Sequence, residues 1–240
     1  MTYCVGLLLN EGMVLLSDTR TNAGFDNIAT YRKMFHFEIP GERIITILTA
    51  GSLSVTQTTI ARLRDAVDDQ EATPQTSVLL APTMLAVAEI VGDVLAKVRR
   101  DIDEKLSMAQ GASATMIVAG QRKGGGMRMF LIYPEGNFIE ATEDTPFLQI
   151  GEHKYGKPIL DRVVKPSTSL SDAQKAVLLS MDSTLRSNLS VGMPLDLCVI
   201  PRDEFRIGTQ RRIEAGDESF REMSEAWSRA LRDGFTQIAI

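Results

Sequence analysis

The stretch Met34-Phe35-His36-Phe37-Glu38-Ile39-Pro40-Gly41-Glu42-Arg43-Ile44-Ile45-Thr46-Ile47-Leu48-Thr49-Ala50-Gly51-Ser52 carries the two signals from which the fold is read. Its apolar runs, Met34 to Ile39 and Arg43 to Thr49, meet across Pro40-Gly41-Glu42 and form a hairpin pattern. Ile44, Ile45, Ile47 and Leu48 leave almost no polar face, as a strand covered on both sides requires. After Ser52 the period changes. Leu53, Ile60, Leu63 and Val67 recur at helical spacing, and so do Met84, Ala88, Val91, Leu95, Val98 and Ile102.

Working outward, Thr2 to Leu9 and Met13 to Ser17 form another hairpin pattern across Asn10-Glu11-Gly12, followed by a polar loop. Strand patterns resume at Ala114 to Ala119, Met127 to Tyr133, Phe138 to Ala141 and Phe147 to Ile150. A helix is expected from Ser171, which has capping-box spacing to Gln174, to about Asn188. A strand at Leu195 to Ile200 and a short hairpin around Arg206 to Ile213 come next. The last amphipathic helix carries Phe220, Met223, Trp227, Ala230 and Leu231. Strands and helices fall in blocks, so the fold class is α+β and not alternating βαβ. One domain over 1–240 is expected, with 204–240 a C-terminal extension ending in that helix. The Met84 to Ile102 helix and the Trp227 helix offer large apolar faces, which are expected to exceed what one subunit covers.

The net charge of −5 supplies no concentrated positive surface for nucleic acid or an anionic membrane. No apolar run approaches the roughly 18 residues of a membrane span, and Met1-Thr2-Tyr3-Cys4 lacks the order of a signal peptide, so a cytoplasmic location is expected. Cys4 and Cys198 each sit in an apolar run and read as buried thiols. No GxSxG, GxxxxGK[ST], HExxH or CxxC motif occurs, and with His36 and His153 the only histidines, a His-based triad has few candidates.

What remains is Thr2, the segment Leu15-Leu16-Ser17-Asp18-Thr19-Arg20-Thr21-Asn22-Ala23-Gly24, the pair Arg32-Lys33, and Leu48-Thr49-Ala50-Gly51-Ser52. Taken singly they are bland: a strand-edge threonine, a turn with a surface ion pair, a solvated lysine and a strand-to-helix glycine. In this order and spacing they resemble the proteasome beta subunits, which are N-terminal nucleophile hydrolases. Ile150-Gly151-Glu152-His153-Lys154-Tyr155-Gly156-Lys157-Pro158 and Ser187-Asn188-Leu189-Ser190-Val191-Gly192 are most similar to the bacterial Anbu, or ancestral beta-subunit, branch.

The resemblance covers about the first 200 residues and implies a four-layer αββα sandwich. It implies that Thr2, exposed by loss of Met1, is the nucleophile, with Lys33 and Asp18 tuning it, Gly51 supplying an oxyanion-hole N–H and Ser190 supporting. Thr21 and Asn22 fall where substrate backbone pairs as an added strand, and Tyr31 and Thr49 near the first specificity pocket. No metal or organic cofactor is implied. The implied partners are a peptide or amide substrate and further copies of the chain, in a ring or open helical particle, with an ATP-dependent unfoldase as a further option. At two positions the chain departs from the family pattern: Glu152 replaces a serine, and Ser187 replaces an aspartate.

The chemistry is self-consistent. A threonine hydroxyl needs a base, and an N-terminal threonine carries one in its α-amine, with a reference pKa of about 7.7–8.0. An ammonium beside it favours the neutral amine and a developing alkoxide. Two rivals remain at this point, a non-catalytic assembly subunit and an amidase for one small metabolite. Should the amine not be the base, Cys4 is the alternative nucleophile.

Overall fold

A computed structural model describes residues 2–22, 28–106 and 112–239. Met1, Ala23 and Gly24 lie outside the described residues. Strand β1 (Tyr3–Leu9) turns back into β2 (Gly12–Asp18), with Cys4 opposite Ser17 and Leu9 opposite Gly12. Because successive side chains point to opposite faces, Tyr3, Val5 and Leu7 enter one apolar cluster, whereas Cys4, Met13 and Leu15 enter another. Where the sequence reads as a polar loop, β3 (Arg20–Asn22) and β4 (Ile28–Thr30) form a two-stranded ribbon. Each is three residues long, too short for a period to show.

The hairpin of β5 (Met34–Ile39) and β6 (Arg43–Gly51) is followed by α1 (Leu53–Asp68) and α2 (Met84–Leu106). Then come β7 (Ala114–Arg122), β8 (Arg128–Ile132), β9 (Phe138–Glu140) and β10 (Phe147–Gly151). The remainder is α3 (Lys157–Val163), α4 (Leu170–Ser187), β11 (Leu195–Pro201), β12 (Thr209–Ile213) and α5 (Glu218–Gln237). Two five-stranded sheets result, ordered β10-β1-β2-β11-β12 and β5-β6-β7-β8-β9.

Three apolar clusters separate four layers. Val55, Ile60, Leu63 and the α2 stripe Met84, Val87, Ala88, Val91, Leu95 and Val98 pack on Ile45, Ile47 and Val118 of the second sheet. Leu15, Ile44, Leu48, Ile117, Ile150 and Cys198 fill the space between the sheets. Leu160, Ala176, Val177 and Met181 of α3 and α4 cover Tyr3, Val5 and Leu197 of the first sheet. The order is αββα, and β6 is covered on both faces as its four apolar residues on both sides of Thr46 require. Each fully buried Leu or Ile contributes about 1.5–3 kcal/mol relative to exposure, so these interfaces hold the sheets face to face.

Some expectations need correction. The α2 stripe Met84, Val87, Ala88, Val91, Leu95 and Val98 is core; on α5, in contrast, Leu231 and Phe235 are 54% and 79% exposed, and Ile238 just after it is 74% exposed. The α4 cap is Ser169, whose hydroxyl accepts from the Asp172 N–H at 3.1 Å, and Ser171 lies inside the helix. Ser169 has the extended backbone an N-cap needs, so of the two serines it wins. The short hairpin expected around Arg206 to Ile213 is instead wider: Thr209–Ile213 pairs with β11, Leu195 opposite Ile213.

Next to Thr2, β1 is anchored by its first side chain. The Tyr3 hydroxyl meets Ser180 Oγ of α4 at 2.6 Å and accepts from Gln149 Nε2 at 2.7 Å. Burial pushes its pKa up to about 12, so it stays a neutral clamp.

Candidate active site

The β1–β2 register sets Asp18 opposite the start of β1, where its Oδ1 accepts the Tyr3 N–H at 3.1 Å. Lys33 enters from the other sheet. It directly precedes β5, and its carbonyl accepts the Thr49 N–H at 2.9 Å, which extends the β5–β6 ladder by one step. Its ammonium donates to Asp18 Oδ1 at 2.8 Å and to the Arg20 carbonyl at 2.6 Å. Gly192 N–H donates to Asp18 Oδ2 at 3.2 Å.

The two side chains are 6% and 0% exposed, so this is a buried ion pair at the open end of the two sheets. Burial pushes the Asp18 carboxyl above its ordinary value. The Lys33 ammonium, and the N–H groups of Tyr3 and Gly192, pull the other way. The structure corrects the single-residue reading of Lys33 as solvated: it is buried because its charge is neutralised from a second sheet.

Thr2 is buried, 7% exposed, just before β1. A cavity of about 260 Å³ is lined by Thr2, Lys33, Gly51, Thr49 and Thr21, together with Arg32 and Leu53. Asp18 stands behind it, holding Lys33. Tyr31 instead lines the adjoining recess with Phe35, Gln57 and Ile60. Asn22 belongs to β3, but its side chain lies outside the described residues.

Gly51 ends β6 with φ +109, and a Cβ there would lie 2.4 Å from the Ser113 carbonyl oxygen. Only glycine brings the chain around to α1 at that wall.

Ser190 is not among the cavity residues. It is reached through hydrogen bonds: Glu152 N–H donates to the Thr2 carbonyl at 2.6 Å, Asn188 Nδ2 donates to Glu152 Oε2 at 3.2 Å, and Ser190 N–H donates to Asn188 Oδ1 at 2.9 Å. Glu152 thus sits between Thr2 and the Ser190 loop. Ser187 is exposed at the end of α4. Asp182 serves the architecture, accepting from Ser224 Oγ of α5 at 2.7 Å. Arg32, Glu152 and Asn188 are the additions the structure makes to the sequence-derived set. The Arg32-Lys33 pair and the Glu152 departure were the available signals.

Cys4 does not serve as a second nucleophile. It is fully buried between the sheets, its thiol faces the Thr49 carbonyl at 3.6 Å, and burial pushes its pKa up, away from the reactive thiolate.

Gly151 has φ +80, and a Cβ there would lie 2.0 Å from the Thr2 carbonyl oxygen. Gly151→Ala is therefore expected to displace Thr2, with a stability loss of about 1–3 kcal/mol from the strained backbone. Chemical denaturation beside a turnover assay checks this, and unchanged values for both would refute it.

Comparison with known proteins places this geometry. The family model for the proteasome subunit matches residues 2–200. Among solved structures, Anbu from Hyphomicrobium sp. is 49% identical, with TM-score 0.92 over 99% of this chain and 98% of that one. Anbu from Yersinia bercovieri is 42% identical, with TM-score 0.93 over 99% and 98%. A structure described as the helical assembly of the Anbu complex from Pseudomonas aeruginosa is 42% identical, with TM-score 0.94 over 99% and 97%. The search of curated proteins gave no match. With the Thr2 cavity and the αββα layers in the same chain, it belongs to the proteasome subunit family, in the Anbu (ancestral beta-subunit) branch.

Proposed function

We propose that this chain is a threonine-type amide hydrolase, a peptidase of a self-assembling proteasome-like particle. The observation that carries the reading is the meeting of Thr2, Lys33 and Gly51 at one cavity, with Lys33 fixed by a buried carboxylate. With Met1 gone, the Thr2 α-amine accepts the hydroxyl proton as Oγ attacks the substrate carbonyl. The Gly51 backbone N–H stabilises the oxyanion, and the Lys33 ammonium favours both the neutral amine and the alkoxide. On collapse the C–N bond breaks, the leaving amine takes the proton back, and an ester remains on Thr2. Water, deprotonated by the same amine, then adds to the ester and releases the acid. Each proton transfer uses a group of the chain itself.

Among the described residues β3 pairs only with β4, so its other edge is open to an added strand. That supports Thr21 and Asn22 as the docking edge for substrate backbone, with Thr49 at the pocket wall. The test is an intact-mass measurement after treatment with a hydroxyl-reactive β-lactone, with a peptide and amide library assayed in parallel. One adduct on Thr2 and turnover are expected. Absence of both would favour a non-catalytic subunit, the reading to which Glu152 in place of a serine lends weight.

Self-association is part of the proposal, supported by the exposed Leu231 and Phe235 of α5 with Ile238 just beyond it, and by the helical assembly of the relative from Pseudomonas aeruginosa. Light scattering at micromolar concentration is expected to give a mass of several subunits, and a monomer across salt conditions would refute it. No helix among the described residues is long and apolar enough to cross a membrane, and we place the particle in the cytoplasm.

A further inference from the structure

Arg32 borders three recesses at once. It lines the Thr2 cavity, the adjoining one with Tyr31, Phe35 and Arg64, and a third with His36, Asp196 and Arg212. A groove therefore leads from Thr2 past Arg32 to Arg64. Arg64 apart, the other cations along it are already engaged: Lys33 with Asp18, Arg211 with Asp217 at 2.6 Å, and Arg212 with Asp196 at 2.8 Å.

Arg32 and Arg64 are both exposed and make no salt bridge among the described residues. Arg64 rests over the Phe35 ring at 5.4 Å. The wall of the Thr2 cavity adds Thr21 and contains no carboxylate, while the Thr49 and Thr56 hydroxyls donate to the Lys33 and Leu53 carbonyls. A recess with one unneutralised guanidinium and no carboxylate on its wall suits an anionic carboxylate, which a guanidinium can bind through two parallel N–H donors. A basic side chain would meet like charge there.

We infer that Arg32 makes the cavity beside Thr2 a receptor for an acidic side chain, so the preferred amide carries glutamate or aspartate on the acyl side of the bond that is cut. Arg64 extends this preference to a second acidic residue of the same peptide. The inference rests on the Thr2 hydrolase reading for which bond is cut, but the recognition itself can be measured without turnover. Because Arg32 is open to solvent, water and salt weaken the pair, and the expected preference is about tenfold, not a thousandfold.

Two measurements separate recognition from catalysis. In the first, fluorescent peptides differing only as glutamate, glutamine or lysine at that position bind assembled Thr2→Ala protein at low salt, followed by anisotropy. The glutamate peptide is expected to bind about tenfold tighter than the glutamine peptide. Arg32→Ala should abolish the difference, Arg32→Lys should keep most of it, and Arg32→Glu should turn the preference to lysine. Circular dichroism confirms that each variant is folded. In the second, kcat/KM for the same peptides is compared with Thr2 present. Equal binding of the glutamate and glutamine peptides, no binding of either, or a preference that survives Arg32→Glu would each overturn the inference. Equal cleavage of all three would overturn it too while leaving the hydrolase reading intact. Acid-selective binding without cleavage would support the receptor and count against the hydrolase.

Discussion

Thr2→Ala is expected to remove turnover while leaving fold and assembly unchanged. The hydroxyl is the atom that attacks, and losing such an element raises the barrier on the order of 2.7–4 kcal/mol or more, about a hundredfold to a thousandfold in rate. The fold should tolerate the change because the contacts that seat this residue are made by backbone. The Thr2 carbonyl accepts the Glu152 N–H, and the following N–H goes to Asp18. Thr2→Ser keeps a hydroxyl and should keep measurable activity. Parental rates from a cleanly folded Thr2→Ala protein would end the mechanism.

The same prediction extends to Met1. While Met1 is attached, the Thr2 nitrogen is an amide and cannot accept a proton, so a Met1-bearing form is expected to be inactive whatever its assembly. Forms separated by intact mass and assayed on one substrate decide the point. Equal activity would remove the amine from the role of base, and the buried Cys4 thiol would not replace it.

Local periodicity was enough for the scaffold and not for the site. The β1–β2 hairpin, the two-sided β6 and the stripe of α2 were legible because each writes its own environment into a short window of sequence. The seven-residue α3 and the three-residue β3 and β4 went unseen because each spans fewer than two full repeats of its period, too few for the pattern to stand out. Asp18 and Lys33 were reached by family spacing, since no local pattern says that residues from two different sheets will pair. Their depth was misjudged for the same reason: a lysine reads as solvated until its partner is known. Arg32 shows the limit more sharply. Its neighbour Lys33 is buried and it is exposed, and only the tertiary arrangement shows that it faces three recesses and holds no anion among the described residues.

Lys33→Ala should lose stability as well as turnover. The structure gives Asp18 three donors, the Lys33 ammonium and the N–H groups of Tyr3 and Gly192, and the variant keeps only the last two. Removing one partner of a buried pair costs about 3–5 kcal/mol, because the remaining carboxyl must either stay charged without its partner or take up a proton.

The sign with pH follows from the carboxyl. Burial already raises Asp18 above its ordinary value, and Lys33 is the largest opposing influence, so its removal raises the folded-state value further. A carboxyl raised in the folded state binds a proton there that the unfolded chain has released, so its contribution to stability falls as pH rises through that window. At low pH parent and variant both hold a neutral acid, and the deficit is smallest. It should widen as pH rises through the range where the parent ionises Asp18 and the variant does not. Turnover should not recover at low pH, because the ammonium that tunes Thr2 is absent there too. Urea midpoints at acid, intermediate and neutral pH, with kcat/KM at each, test both halves. A deficit that does not change with pH would show that Asp18 is not the group left stranded.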